Sequence, residues 1–245
     1  MHLQFIGSGD AFGSGGRFNT CFHVVGENAN FLIDCGASSL IALKQQNVDL
    51  NAVRTMLITH FHADHFGGIP FFILESQFFT KRTEPLTIAG PAGLAAWYER
   101  VMETSFPGSS GVTQKFELNL VELDPAKNNQ VDGLSVMPFI VEHGSPGGDC
   151  FALRIEAEGR TITYTGDTQW VDAVADAARN ADLFITEAYF RDKKVPFHLD
   201  LASVEEHLDS IGAKRVVLTH MSDDMLAQRS AVAYECAEDG MVIEL

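Results

Sequence analysis

Residues 59–68 read Thr59-His60-Phe61-His62-Ala63-Asp64-His65-Phe66-Gly67-Gly68, with four potential metal ligands packed between His60 and His65. His60 and His62 are two apart, so an extended backbone points both imidazoles the same way. Asp64 and His65 then turn the other way, and such a segment can serve two adjacent metals rather than one. Gly67 and Gly68 let the chain fold tightly around them before a helix expected over residues 69–79. The bland alternative is a histidine-rich surface loop. It is set aside because the pattern sits directly after an apolar run and directly before Gly-Gly, a combination that chance rarely supplies.

Working outward, residues 2–7, 19–25, 30–34 and 53–59 are short runs rich in apolar or β-branched residues, and they read as the strands of a sheet. After Pro91, Leu94, Trp97, Tyr98, Val101 and Met102 recur at helical spacing and form a core-facing stripe rather than a cofactor site. From about residue 116 a second series is expected, with strands near 116–123, 134–141, 150–157, 160–165, 182–187 and 214–219. Helices are expected near 169–180, 201–211 and 223–237. Two runs echo one another: residues 56–60 and 216–220 both end an apolar strand in Thr-His. A residue at the C-terminal end of a buried strand emerges at the sheet edge, where α/β folds place their ligands.

Composition bounds the rest. A chain of 245 residues, 46% hydrophobic and 20% charged, can bury a large core, and one domain over residues 1–245 is the expectation. No apolar run approaches the roughly 18 residues of a membrane span, and the N-terminus lacks the basic start and apolar stretch of a signal peptide. A cytoplasmic location and no membrane partner are expected. Cys21, Cys35, Cys150 and Cys236 are scattered with no C-x-x-C pair and read as small core residues. A net charge of −16 repels polyanions, and no basic stripe is long enough to neutralise a row of phosphates, so extended nucleic acid is disfavoured as a partner. Two small basic clusters, Lys81-Arg82 and Arg191 with Lys193-Lys194, read first as solvated loops.

With these residues in view, the chain resembles the metallo-β-lactamase superfamily over its whole length. The family's early aspartate matches Asp34 in Phe-Leu-Ile-Asp-Cys-Gly, and its histidine cluster matches His60, His62, Asp64 and His65. A downstream histidine matches His143 in Val-Glu-His-Gly, an aspartate in a turn matches Asp167 in Tyr-Thr-Gly-Asp-Thr, and a late histidine matches His220. The resemblance implies an α/β fold, a four-layer αββα sandwich with a dinuclear site at one edge of two sheets, and Asp34 as the residue that orients the histidine loop. Coordination chemistry agrees with that set. His60, His62 and His143 would supply nitrogens to one ion, Asp64, His65 and His220 a mixed set to the other, and Asp167 would bridge them. Two divalent ions are expected, zinc first, with manganese or iron tolerated. Bound metal lowers the pKa of water from about 15.7 toward about 7, which makes a bridging hydroxide a nucleophile at neutral pH.

The fold alone names no substrate. Phe197-His198-Leu199-Asp200 precedes a helix that Asp200 caps and Gly212 closes. By its place between the bridging aspartate and the last ligand, His198 resembles the phosphate-facing histidine of the branch containing ribonuclease Z and the cyclic-phosphate phosphodiesterases. There it would neutralise the developing oxyanion or protonate the leaving oxygen. Glu187, in Ile-Thr-Glu-Ala-Tyr, resembles the acidic residue that accompanies that histidine and would hold its tautomer. Asp64, besides its role as ligand, is a candidate proton acceptor. Arg191, Lys193 and Lys194 lie between Glu187 and His198 and are candidates for a second anionic group. Ribonuclease Z carries its tRNA-gripping arm between the third histidine and the bridging aspartate, where this sequence has only a hairpin. A small anionic phosphodiester is therefore expected, with room left for a homodimer. The rivals are a carbonyl hydrolase of lactonase or thioesterase type and, less favoured, a non-catalytic binding protein. A flavodiiron-type protein would need a flavin domain that the sequence lacks.

Overall fold

The computed structural model describes residues 1–144 and 147–245. Runs such as Phe31-Leu32-Ile33 and Leu183-Phe184-Ile185 are apolar throughout because both faces of their sheets are covered. Side chains alternate across a strand, so Phe31 and Ile33 enter the core between the sheets while Leu32 enters one beneath helices. Leu183 and Ile185 likewise face the first core, and Phe184 faces a third.

The first sheet holds β1 (His2–Gly7), β2 (Cys21–Val25), β3 (Asn30–Ile33), β4 (Thr55–Leu57), β5 (Leu86–Gly90) and β6 (Leu118–Glu122). The second holds β7 (Asn129–Val131), β8 (Leu134–Val141), β9 (Cys150–Ala157), β10 (Arg160–Tyr164), β11 (Leu183–Glu187), β12 (Val216–Thr219) and β13 (Glu235–Cys236). β14 (Val242–Glu244) returns to the first, giving the orders β14-β1-β2-β3-β4-β5-β6 and β13-β12-β11-β10-β9-β8-β7. The helices α1 (Ser39–Gln45), α2 (Ala63–Phe66), α3 (Ile69–Phe78) and α4 (Leu94–Ser105) belong to the first half. Those of the second half are α5 (Asp172–Ala178), α6 (Leu201–Glu205), α7 (Leu208–Ile211) and α8 (Asp223–Gln228). Ala42, Leu43, Phe72, Leu94, Tyr98 and Met102 cover the outer face of the first sheet, and Val174, Ala177, Val204 and Ile211 that of the second. These are the four αββα layers. Truncating a fully buried ring such as Phe31 or Phe184 to alanine would cost about 3 to 5 kcal/mol.

Four expectations need correction. The strand near 116–123 closes the first sheet rather than opening the second, because β6 pairs parallel with β5 through five partners from Leu86–Leu118 to Gly90–Glu122. The helix expected over 223–237 stops at Gln228, and Glu235 and Cys236 instead pair parallel with β12. The reason is legible afterwards: Val232, Tyr234 and Cys236 alternate with period two, a strand pattern. The helix expected over 201–211 breaks at His207, whose Nδ1 lies 2.9 Å from the Ser203 carbonyl while its backbone N–H turns to Val204. Arg82 is not solvated at all. It is 1% exposed and donates to the carbonyls of Leu50, Val53, Glu84 and Pro85 at 2.6–3.0 Å, tying the approaches to β4 and β5 together.

No helix among the described residues is long and apolar enough to cross a membrane. Cys21, Cys35 and Cys150 are buried and Cys236 half-buried, as expected for small core residues.

Candidate metal centre

Asp34 follows β3, His60 follows β4, His143 follows β8, Asp167 follows β10, and His220 follows β12. All five emerge at C-terminal strand ends, so two sheets deliver them to one edge.

The loop from His60 to His65 takes its shape from Asp34. That residue adopts a left-handed φ of 57° and accepts the Thr59 N–H and hydroxyl, both at 2.8 Å. His65 brings Nδ1 to 2.7 Å from the same carboxylate, which turns its Nε2 inward. Burial pushes the Asp34 carboxyl up from its ordinary range against the pull of His65 and Thr59. His62 has extended backbone at φ −66°, ψ 152°, and the single turn of α2 then carries Asp64 and His65 inward, both buried. Gly67 and Gly68 have ordinary helical φ values of −66° and −80°, so conformational freedom is not why they are glycines. Space is the reason at Gly68, where a Cβ would lie 2.2 Å from the Gly36 carbonyl oxygen.

The remaining ligand candidates come from distant parts of the chain. His143 Nε2 is 3.0 Å from His62 Nδ1, and its Nδ1 donates to the Phe197 carbonyl at 2.9 Å. His220, at φ 53°, brings Nε2 to 3.3 Å from both Asp64 and Asp167. Asp167 stands between the groups, with one oxygen 3.2 Å from His65 and the other 3.7 Å from His143. Two clusters result: His60, His62 and His143 in one, and Asp64, His65, Asp167 and His220 in the other, the ligand atoms of each lying within 4.8 Å of one another.

These residues fit divalent ions. His60 Nε2 is buried without a hydrogen-bond partner, a state that costs about 1 to 3 kcal/mol unless something else engages it. His65 Nε2 lies 3.2 Å from Asp167 Oδ1 and 3.3 Å from Asp64 Oδ2, without a well-directed hydrogen bond to either. Burial, helped by His65, drives His60 well below its ordinary pKa, and burial with His143 lowers His62, so both are neutral as ligands must be. Burial opposes charge on Asp64 and Asp167 too, but His65 and His220 outweigh it and hold both carboxyls below the usual range. The same carboxylates hold His65 and His220 well above theirs despite burial. Bound cations would replace those protons.

Beside the clusters lies His198. Glu187, fully buried, lies 2.9 Å from its Nδ1 and also accepts the backbone N–H groups of Thr168 at 2.6 Å and Leu199 at 3.1 Å. Those engagements make Glu187 an orienting group, although it falls geometrically within a further cluster with Asp167, His198 and His220. Burial would lower the His198 pKa, but the Glu187 hydrogen bond and charge, with Asp167, raise it above its ordinary value. A cavity of about 190 Å³ opens between His62, Asp64, His143, Asp167, His198 and His220. A larger hollow of about 600 Å³, around Arg54, Glu84 and Asp132, lies at the opposite end of the first sheet's parallel strands.

Arg191, Lys193 and Lys194 are not among the residues lining the site cavity; Lys193 Nζ sits 4.5 Å from the Phe190 ring centroid. Sequence reasoning missed three contributors. Phe197, at a left-handed φ of 70°, supplies the carbonyl that orients His143. Tyr189 stacks on His198 at 4.8 Å, and Phe12 stands at the cavity mouth. Only Phe12 carried a signal, a large aromatic inside the glycine-rich run Gly7-Ser8-Gly9-Asp10-Ala11-Phe12-Gly13.

A family model described as "Anti-Pycsar protein Apyc1" matches residues 1–240. Ribonuclease Z of Methanosarcina acetivorans is 27% identical over 305 aligned positions, covering 100% of this chain and 98% of that protein. The crystal structure of the short form of human tRNase Z superposes with a TM-score of 0.77 at 26% identity, covering 100% of this chain and 99% of that one. The metallo-β-lactamase fold protein YhfI of Bacillus subtilis superposes with a TM-score of 0.78 at 20% identity over 99% of both chains, a likeness of fold.

Proposed function

The chain belongs to the family described as Anti-Pycsar protein Apyc1, and from that premise we propose that it is a dinuclear zinc phosphodiesterase acting on a small phosphodiester. It has the metallo-β-lactamase fold on the ribonuclease Z-like branch, and it is a metal-dependent hydrolase of phosphodiesterase type. The finer reading treats residues 1–245 as one domain, with His60, His62 and His143 around one ion, Asp64, His65 and His220 around the other, and Asp167 shared. Bound there, the ions would supply Lewis acidity and a water of lowered pKa.

The observation that carries the phosphodiester reading is the 2.9 Å contact between Glu187 and His198 Nδ1. It leaves Nε2 for the cavity that the ring lines, and the raised pKa keeps a proton there. His198 would donate that proton to a phosphoryl oxygen as charge develops, or to the departing alkoxide. Asp64 would help steer the proton of the incoming water. A small substrate is supported by the 190 Å³ cavity, by the net charge of −16, and by the β9–β10 hairpin that occupies the place of a tRNA-gripping arm.

The test is hydrolysis of bis(p-nitrophenyl) phosphate by the metal-loaded protein beside a lactone, a thioester and a β-lactam. The phosphodiester should be turned over fastest. A lactone or thioester ahead of it by an order of magnitude would transfer the assignment to a carbonyl hydrolase.

A further inference from the structure

We infer that the turn Val195-Pro196-Phe197-His198 couples the metal centre to the proton donor, with Phe197 as the positioning residue: a single peptide unit aims His143 at its ion and fixes where His198 stands. The inference rests on the metal and proton-transfer roles proposed above.

Val195 and His198 pair across the turn as a β-bridge, and Pro196 and Phe197 occupy its two central positions. Proline followed by a residue of positive φ is the pattern of a type II turn, whose third position normally goes to glycine or asparagine because a larger side chain is strained there. Phe197 holds a φ of 70° at that position. Backbone kept in a disfavoured region points to function when the surrounding contacts depend on it.

Here three contacts depend on it. The Phe197 carbonyl accepts His143 Nδ1–H at 2.9 Å, which leaves Nε2 for the ion. The Phe197 N–H donates to Gln169 Oε1 at 3.3 Å, and Gln169, two residues after Asp167, donates its own N–H to the Glu142 carbonyl at 2.9 Å. The Phe197 ring lies against Gly144, where a Cβ would come within 2.7 Å of the ring's Cζ, so the turn is seated on the residue that follows His143.

His198 is the next residue in the chain, with its Nδ1 held 2.9 Å from Glu187. A peptide unit is planar, so the oxygen that meets His143 and the nitrogen that begins His198 turn together. The two imidazoles lie 5.0 Å apart, centroid to centroid. Rotation of Phe197 out of the left-handed region would displace both at once. The coupling therefore needs the backbone of this residue, whereas the ring adds packing on Gly144.

Three substitutions test the proposal. Each is read by zinc affinity in competition with a chromophoric chelator, by kcat and KM on an alkyl phosphodiester at saturating zinc, and by the His198 Nδ1–H proton signal, identified through its absence in His198→Ala. Phe197→Val keeps an apolar side chain but carries the branched Cβ that the left-handed region tolerates least. It should weaken the affinity for one ion about 10-fold, lower kcat about 10-fold with KM little changed, and shift or broaden the His198 signal. Phe197→Gly and Phe197→Asn lose the ring and keep the turn; both should melt earlier than the parent yet hold affinity and kcat within about 3-fold and retain the signal. The reverse order, with Val near the parent and Gly and Asn impaired, would make Phe197 a packing residue and overturn the proposal. So would a Val variant in which affinity falls while kcat and the His198 signal stay, or the converse. If the Val variant does not fold, the other two decide alone, and impaired affinity or kcat in either overturns it. Affinity and the proton signal are read without substrate, so a failed coupling and a failed phosphodiesterase reading are told apart.

Discussion

Asp34 and Glu187 are both fully buried carboxylates at the end of a strand, each beside a strand that runs out in Thr-His. Asp34 gathers donors from one short loop: the Thr59 N–H and hydroxyl and His65 Nδ1, all within 2.8 Å. Glu187 gathers from separate segments: Thr168, His198, Leu199 and, at 3.5 Å, His220 Nδ1. One carboxylate stiffens a motif that is already contiguous. The other joins pieces that only the fold brings together, including His198, which lies outside the proposed ligand set. Asp34 thus braces one contiguous ligand loop, whereas Glu187 ties His198 to the segments that carry Asp167 and His220.

Cutting the joint between the halves should have the largest effect. Asp167→Ala removes the group lying between both clusters, and turnover should fall to the uncatalysed background, as it should for Asp64→Ala. Elemental analysis should find close to two zinc-like ions in the parent and fewer in the Asp167 variant. Near-normal turnover with metal retained would misplace the centre.

Next in size is His198→Ala. Both ions should stay, because this residue is outside the proposed ligand set, yet kcat on an alkyl phosphodiester should drop roughly 100-fold to 1,000-fold. An aryl ester, whose leaving group needs little protonation, should lose less. Metal loss in this variant would show that the two regions are not separable as described.

The carboxylates themselves sharpen the contrast. Asp34→Asn should weaken metal affinity about 10-fold to 100-fold, as outer partners of ligating histidines do, measured by competition with a chromophoric chelator. Glu187→Gln should leave affinity closer to the parent and act mainly on kcat. Identical behaviour of the two variants would erase the distinction.

The smallest effect is a displacement along the pH axis. Glu187 raises the His198 pKa, so the protonated ring persists below the raised value and is lost as pH climbs through it. Activity on an alkyl phosphodiester should therefore decline on the alkaline side, and Glu187→Gln should move that decline to lower pH. A limb that stays in place would remove Glu187 from the control of His198.

The sequence by itself determined what local geometry can express. The two-residue spacing of His60 and His62 and the turn to Asp64 and His65 follow from backbone periodicity, and the structure keeps that division, with His60 and His62 in one cluster and Asp64 and His65 in the other. The apolar runs likewise foretold two series of strands with helices between them, and the resemblance supplied the two sheets with helices outside. Resemblance, rather than local pattern, was needed to attach His143, Asp167 and His220, since contact between residues so far apart is a property of the sheets and not of the chain nearby. Only the tertiary structure decided that β6 belongs to the first sheet and that Arg82 is buried among four carbonyls. It also set the Phe197 carbonyl against His143, left a cavity of about 190 Å³, and placed Phe12 at its mouth. These outcomes depend on which surfaces pack together and which backbone groups the packing leaves to be satisfied, and no window of sequence contains both partners.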